Sequence, residues 1–582
     1  MATSRISTIP APIGGLNAKD GIATMPPTDA VALTNWFPTP STVNLRNGSA
    51  SYATGLTGNV ETLAQYGGTG GNKLFAAANY GLYDISAAGS VGAPLLSGLS
   101  LNRWQSVNFG STAANGQFLF LANGADAPAY YDGSTWAQVA STSTAQTISN
   151  LTHAGTTAVA TTSAPHGLGP NVKVTVSGAS PAAYNGTFVI TPTSLTTFTY
   201  VMASDPGAAA SPAGSYVILN AITGVNPNLF IQGTSFKQRL YWVESGSFRC
   251  WYLGVNAISG AAASLDFGGM FKLGGYLMAV ATWSVDDAAG MQEYFVAISS
   301  LGEVVVYQGY DPTNAANWTI SAHFRIGRPI GRRCFCKLGS DLIFITADGA
   351  YPLSKALLTD RAQEADALTD KIQNLVNGDV QAFQGNFGWQ IILYPIGNKV
   401  ILNVPNGYAN YQYVMNTITG AWCKFTGWNA QCWELYNDGL YFGGSGAVYQ
   451  ADTGYSDAGN TINADAQQAF NYFGVDGLKY FTGMRPVFYG SSGMSPSCAI
   501  NVDFDTSMAP SVTTGTYGGF TPWGSAWGSS WTTPNGTVRG WHGAGGFGYT
   551  GAPHIAMNAK FVSCQWQSTD VIFQAAAPGY AF

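Results

Sequence analysis

The sequence predicts a mainly β protein: a β-propeller carrying an inserted small β-sandwich, a C-terminal β region and one short helix. Three observations predict it. The chain of 582 residues holds 72 Gly and 27 Pro, a density of chain breakers that excludes long helices and favours turn-rich β structure. A unit recurs, made of a short apolar run, a turn carrying Gly and a second apolar run, which is the signal of a hairpin. Its copies begin at positions 73, 117, 239, 293, 341, 399 and 439, with turns at Gly81, Gly124, Gly246, Gly302, Gly349, Gly407 and Gly446. Their starts lie 44, 122, 54, 48, 58 and 40 residues apart, and leaving out the compositionally foreign stretch 145–222 reduces the long step to 44. A period of about 40–55 residues of β structure is that of a propeller blade, because one blade cannot bury both of its faces and radial stacking does so.

Composition excludes several classes. Only 9% of residues are charged and the net charge is −6, against about 25% charged in an ordinary soluble protein. With 16 Trp, 30 Tyr and 30 Phe the chain can bury a large core, so it is not disordered throughout. It lacks the charges a coiled coil needs at its flanking positions, and a pI near 5.3 excludes a strongly basic nucleic-acid binder. A free monomer keeps a charged surface for solubility; a chain this poor in charge is expected to have much of its surface covered by partners. No apolar run of about 18 residues predicts a membrane-spanning segment, and the start MATSRISTIPAPIGG lacks the apolar core of a signal peptide. Seven cysteines without a spacing framework predict thiols formed in a reducing cytoplasm.

Taken in order, residues 1–60 hold Pro10, Pro12, Pro26, Pro27, Pro38 and Pro40 and predict an extended arm rather than a helix or a central strand. Residues 61–144 carry the first blades. Residues 145–222 are the insert, with β-branched runs at 157–161, 172–176, 187–191 and 197–201 and with Lys173 and Asp205 as the only charges between 141 and 220. Residues 223–465 hold the remaining blades. Within them the spacing of Leu357, Leu358, Ala362, Ala365, Leu368, Ile372 and Leu375 predicts a helix near 355–376, with Ser354 as N-cap and Gly378 as stop. Residues 355–379 hold 8 charges in 25 positions, which predicts a solvated helix face. Residues 466–582 are aromatic and Gly-rich, with runs at 486–489, 499–504 and 571–573 for a final β-sandwich, and with Trp523, Trp527 and Trp531 set in loops.

Chemical motifs are few. His153, His166, His323, His542 and His554 are not paired at metal-ligand spacing, and no nucleophile elbow, P-loop or dinucleotide fingerprint occurs, so neither cofactor nor metal is expected and the chain does not read as an enzyme. Cys334 and Cys336 predict buried thiols. Asp132–Trp136 predicts a plain hairpin turn rather than a sialidase-type Asp-box. The one unusual cluster is basic: Arg325, Arg328, Arg332, Arg333 and Lys337. It fits surface charge, an inter-subunit salt-bridge strip or a phosphate contact, roles suited to the planar guanidinium fork.

Several segments together resemble the tail proteins of short-tailed bacteriophages, called tail tubular protein B, tail nozzle or packaged-DNA stabilization protein. They are 28–38 (TDAVALTNWFP), 46–49 (RNGS), 74–84, 236–244 (FKQRLYWVE), 274–278, 306–312 (VYQGYDP), 325–333 (RIGRPIGRR), 343–354 (IFITADGAYPLS), 369–373 (TDKIQ) and 413–422 (YVMNTITGAW). The insert is similar to Ig-like modules of phage structural proteins through 166–168, 177–188 and 196–200. The resemblance implies a virion tail protein made in the host cytoplasm. It would form a homo-oligomeric ring, commonly a hexamer, beneath the portal and adaptor and beside the tail fibres, with double-stranded DNA passing through without sequence specificity. A charge-poor lining suits such a channel, because basic linings grip phosphates. Two other readings stay open: a receptor-binding tail tip or fibre-like protein, and a glycan-binding or glycosidase propeller. The last needs two carboxylates at a set separation, for which Asp286–Asp287 and the helix acids Glu364, Asp366 and Asp370 are candidates.

Overall fold

The computed structural model describes residues 4–114, 116–287, 290–356, 367–491, 493–507 and 535–575. Among the described residues seven antiparallel blades follow one another around an axis, each starting from its innermost strand. Those inner strands are Thr62–Tyr66, Gln105–Ser111, Phe230–Phe236, Leu277–Asp287, Phe335–Leu338, Gln390–Tyr394 and Cys432–Tyr436, for blades I to VII. Residues from all seven line one central cavity. The apolar runs that define the sequence repeat are the second strands, among them Lys73–Ala78, Arg239–Glu244 and Lys399–Val404, and these are buried along nearly their whole length. A strand covered on both faces reads as a continuous apolar run, which is why the repeat registers on the second strand of each blade.

Closing the ring needs both ends of the propeller. Blade VII takes its first three strands from Cys432–Tyr436, Gly439–Gly443 and Ser445–Ala451, and its outer strand from Ser49–Asn59, which runs antiparallel with Val448 opposite Ala53.

The expectation of an N-terminal arm outside the regular sheets is corrected. Asp29–Thr34 is a central strand between Trp422–Phe425 of blade VI and Ile462–Gln468, and Ser4–Pro10 pairs along Cys564–Ala575. The prolines do not prevent this. Pro10 and Pro38 end their strands, while Pro12, Pro26, Pro27 and Pro40 lie between strands. The arm and the C-terminal residues thus build one two-sheet unit. Its core includes Trp36, stacked on Phe488 at 6.3 Å and edge-on to Trp566 at 5.8 Å.

Arg46 joins arm, propeller and C-terminal unit. Its fully buried guanidinium pairs with Asp457 through Nη1 at 2.9 Å and Nη2 at 2.5 Å. It also donates from Nε to Asn35 Oδ1 at 2.7 Å, from Nη1 to Asn47 O and from Nη2 to Thr426 O. All of its N–H donors are therefore spent, and its plane lies over the Trp428 ring at 4.7 Å.

The insert has its own core, with Leu151, Val174, Val176, Tyr184, Phe198, Tyr200 and Tyr216 at its centre. Its strand Gln146–Ala154 serves two sheets, pairing with Ser215–Ile218 on one side and Thr157–Thr162 on the other. Lys173 ties the insert to blade II through Asp132 at 2.6 Å. Burial alone would raise the Asp132 carboxyl, but the Lys173 ammonium and the N–H groups of Thr135 and Ser134 hold it at about 2. Asp132–Trp136 is the hairpin turn expected, its carboxylate capping the turn amides.

The described helical residues only partly overlap the predicted span. A short turn of helix covers Leu353–Ala356, residues 357–366 (with Leu357, Leu358, Ala362, Ala365, Glu364 and Asp366) lie outside the described residues, and the helix proper runs Gln373–Phe383. Gly378 sits inside that helix instead of ending it, and Ser354 bonds Asp341 rather than capping. Trp523, Trp527 and Trp531 also lie outside the described residues.

Removing one member of a buried ion pair strands the other, at a cost of about 3–5 kcal/mol, whereas replacing both by apolar groups costs far less. Urea unfolding of Arg46→Met and of Asp457→Leu is expected to show losses of that size. The double variant Arg46→Met/Asp457→Leu is expected to lose less than the sum; strict additivity would contradict the coupling.

Candidate functional site at the propeller axis

Blades of a propeller are separate sheets, so the edge peptide groups of each inner strand face the axis without a ladder partner. Each must still be satisfied. A glutamine side chain, an amide itself, does this at two blade junctions. Gln232 of blade III accepts from Val280 N at 3.0 Å and donates to Val280 O at 2.9 Å on blade IV. Gln390 of blade VI does the same to Trp433 of blade VII, at 3.0 and 2.8 Å. Asn403 and Gln412 extend the second lock, with Trp433 Nε1 donating to Asn403 Oδ1 at 3.0 Å.

Arg333 spans the axis. It stands before the inner strand of blade V, and its Nη2 donates to Glu61 O, Thr62 Oγ1 and Trp104 O on the far side, all within 2.9–3.0 Å. Arg332 donates from Nη1 to Met278 O at 2.6 Å and lies over the Tyr276 ring at 5.7 Å. Burial acts against the charge of both guanidinium groups.

Arg332, Arg333 and Gln105 separate two cavities along the axis. The inner one, of about 400 Å³, is lined by Asn108, Gln232, Ser235, Thr282, Gln390, Trp433 and Glu434 among others. The second, of about 550 Å³, opens where the inner strands begin and is lined by Arg103, Tyr276, Met278, Phe387 and Trp389 among others. Glu434 is the carboxylate among the described residues of the inner wall. Burial pushes it up to about 7, against the opposing effects of the Leu435 N–H and the Arg333 charge.

The five basic residues singled out in the sequence do not form one strip. Arg325 ends the outer strand of blade IV and Arg328 follows it, both exposed, while Arg332 and Arg333 turn to the axis. Lys337 is exposed along its stem and donates from Nζ to Thr282 Oγ1 at 2.8 Å. Cys334 is buried and Cys336 partly so, and burial pushes both thiols up to about 12. Asp286 and Asp287 end the inner strand of blade IV, with their side chains outside the described residues, and Asp370 pairs with Lys19 at 2.6 Å away from the axis. The glutamine locks and Glu434 escaped sequence reasoning, since single polar residues in short strands carry no spacing signal. Among the described residues no cluster of His, Cys, Asp and Glu could hold a metal ion, and no helix is long and apolar enough to cross a membrane.

No family model and no curated protein matches the chain. Among solved structures it is similar to a putative 6-phosphogluconolactonase from Bacteroides fragilis, at 13% identity over 62% of this chain and 90% of that one, with a TM-score of 0.26. It is also similar to an exo-β-1,3-galactanase from Phanerochaete chrysosporium, at 10% identity over 58% and 94%, with a TM-score of 0.20. A glycoside hydrolase family 43 arabinoxylan arabinofuranohydrolase from Bacillus subtilis matches at 10% identity over 90% and 96%, with a TM-score of 0.17. These values concern mainly β, propeller-like architecture and transfer no activity. They do correct the expectation that the chain is not an enzyme: hydrolases stand among the proteins it resembles, and that expectation is set aside.

A carboxyl raised on folding favours the protonated folded state. Its contribution is full below the ordinary value of 4.5 and is lost as pH rises through about 7. Denaturant unfolding across that window is expected to show stability falling with pH in the native protein and a flatter profile in Glu434→Gln; identical profiles would remove Glu434 from the account.

Proposed function

We propose that the chain is a structural subunit of a short-tailed phage tail, assembling into a ring that continues or closes the DNA channel. One observation carries this reading: five of the ten segments that resemble that family, 28–38, 46–49, 343–354, 369–373 and 413–422, meet at a single junction. Asp29 pairs with Lys371 at 3.1 Å, Asn416 Nδ2 donates to Pro38 O at 2.9 Å, and Trp422 Nε1 donates to Leu368 O at 2.8 Å. Thr369 Oγ1 accepts from Ala350 N at 3.1 Å, and Arg46 holds Asn35 and Asp457. Residues that share a resemblance and also a contact network belong to one architecture rather than to unrelated matches. The scarcity of charge adds support, as do large apolar side chains standing in solvent, such as Tyr408 at 93%, Met291 at 78% and Phe561 at 67% exposure. Such side chains are expected to be covered by neighbouring subunits.

The second reading is a glycan-binding propeller. The inner axial cavity favours it, because its wall of amides and hydroxyls is of the kind that binds sugar hydroxyls. Hydrolysis would need a second carboxylate beside Glu434.

Mass measurement of the purified chain separates these. A closed ring of 61.0 kDa subunits, formed alone or on adding an adaptor, is expected. A trimer would point to a fibre-like protein. A stable monomer that binds or cleaves polysaccharide would overturn the ring.

A further inference from the structure

The outer axial cavity holds an excess of cationic groups without matching carboxylates. Arg103, Arg332 and Arg333 line it. Arg103 is answered by Glu61, Nε to Oε1 at 3.0 Å. The hydrogen bonds of Arg332 and Arg333 go to neutral groups, Met278 O for the first, and Glu61 O, Thr62 Oγ1 and Trp104 O for the second, while Glu434 and Glu61 act on the Arg333 charge only through space. Among the described residues neither forms an ion pair. Glu434 lines the inner cavity on the far side of the pair and is itself raised by burial.

Aromatic rings complete the wall. Phe387 lies beneath both Arg103, at 4.4 Å, and Arg333, at 5.3 Å, and Tyr276 lies beneath Arg332. Trp389 borders the same space. Withdrawing a guanidinium from water without a counter-charge is costly. Carbonyl dipoles and ring faces offset part of that cost, and an anion from solvent would offset the rest. The guanidinium plane matches carboxylate and phosphate oxygens two at a time, and among the described residues Arg332 hydrogen-bonds through Nη1 alone. A volume of about 550 Å³ falls in the range of small-molecule sites.

We propose that this outer axial cavity binds a small oxyanion-bearing ligand, its phosphate or carboxylate group held by Arg332 and Arg333. The site is independent of whether the chain forms a ring, since every residue in it belongs to one propeller.

Isothermal titration calorimetry of the full chain with inorganic phosphate, and separately with glucuronate, tests the site. Saturable binding of at least one is expected. Phosphate alone would identify a phosphoryl ligand and glucuronate alone a carboxylate. Arg332→Gln is the variant of choice, because Arg332 ties no blades together across the axis; affinity is expected to fall at least about tenfold. If that variant does not fold, Arg332→Lys keeps the charge, loses the planar fork and is expected to weaken binding severalfold. Arg325→Gln, on the exposed rim, is expected to bind as the native protein does. Absence of binding to both anions at millimolar concentration, or equal affinity in the Arg332 variants, would overturn the proposal.

Discussion

Everything in this molecule depends on one constraint: a ring of seven blades must be closed by a strand from outside its own run of sequence. Residues 432–451 give blade VII three strands, and Ser49–Asn59 supplies its outer strand. That single pairing brings the N-terminal segment back beside the end of the propeller. Once there, the residues before it enter the C-terminal sheets, and the fully buried Arg46 locks the three parts together through Asp457, Asn35 and Thr426. The arm, the last blade and the C-terminal unit therefore stand or fall as one body.

A second consequence follows at the axis. Separate sheets leave the edge groups of their inner strands without ladder partners, and the chain answers with amide side chains at Gln232 and Gln390 and with a guanidinium at Arg333. The same need that holds the blades in register makes the axis polar and positively biased. Structure and candidate site are thus two aspects of one arrangement, and a ligand site there requires no departure from the fold.

Much of the fold was legible in the sequence, for a physical reason. Second strands are covered on both faces, so Lys73–Ala78 or Lys399–Val404 stand out as apolar runs at blade spacing, and the insert declares itself through its lack of charge. The inner strands were not legible, because residues such as Gln105–Asn108 face a polar cavity and interrupt the apolar run. The arm was misjudged because prolines were weighed by number, whereas their positions at and between strand ends leave Asp29–Thr34 free to pair. The helix does not stop at Gly378, because a glycine is tolerated there on an exposed turn. The basic run shows the limit of proximity in sequence: Arg328 and Arg332 are one short connection apart and face opposite surroundings.

Native-state hydrogen exchange tests the closure most directly. If Ser49–Asn59 is an integral strand of blade VII, its amides and those of Ser445–Ala451 exchange with the same free energy of opening, close to that of the buried second strands of blades III and VI. Exchange of Ser49–Asn59 at a far lower free energy than Ser445–Ala451, independent of global unfolding, would contradict the account.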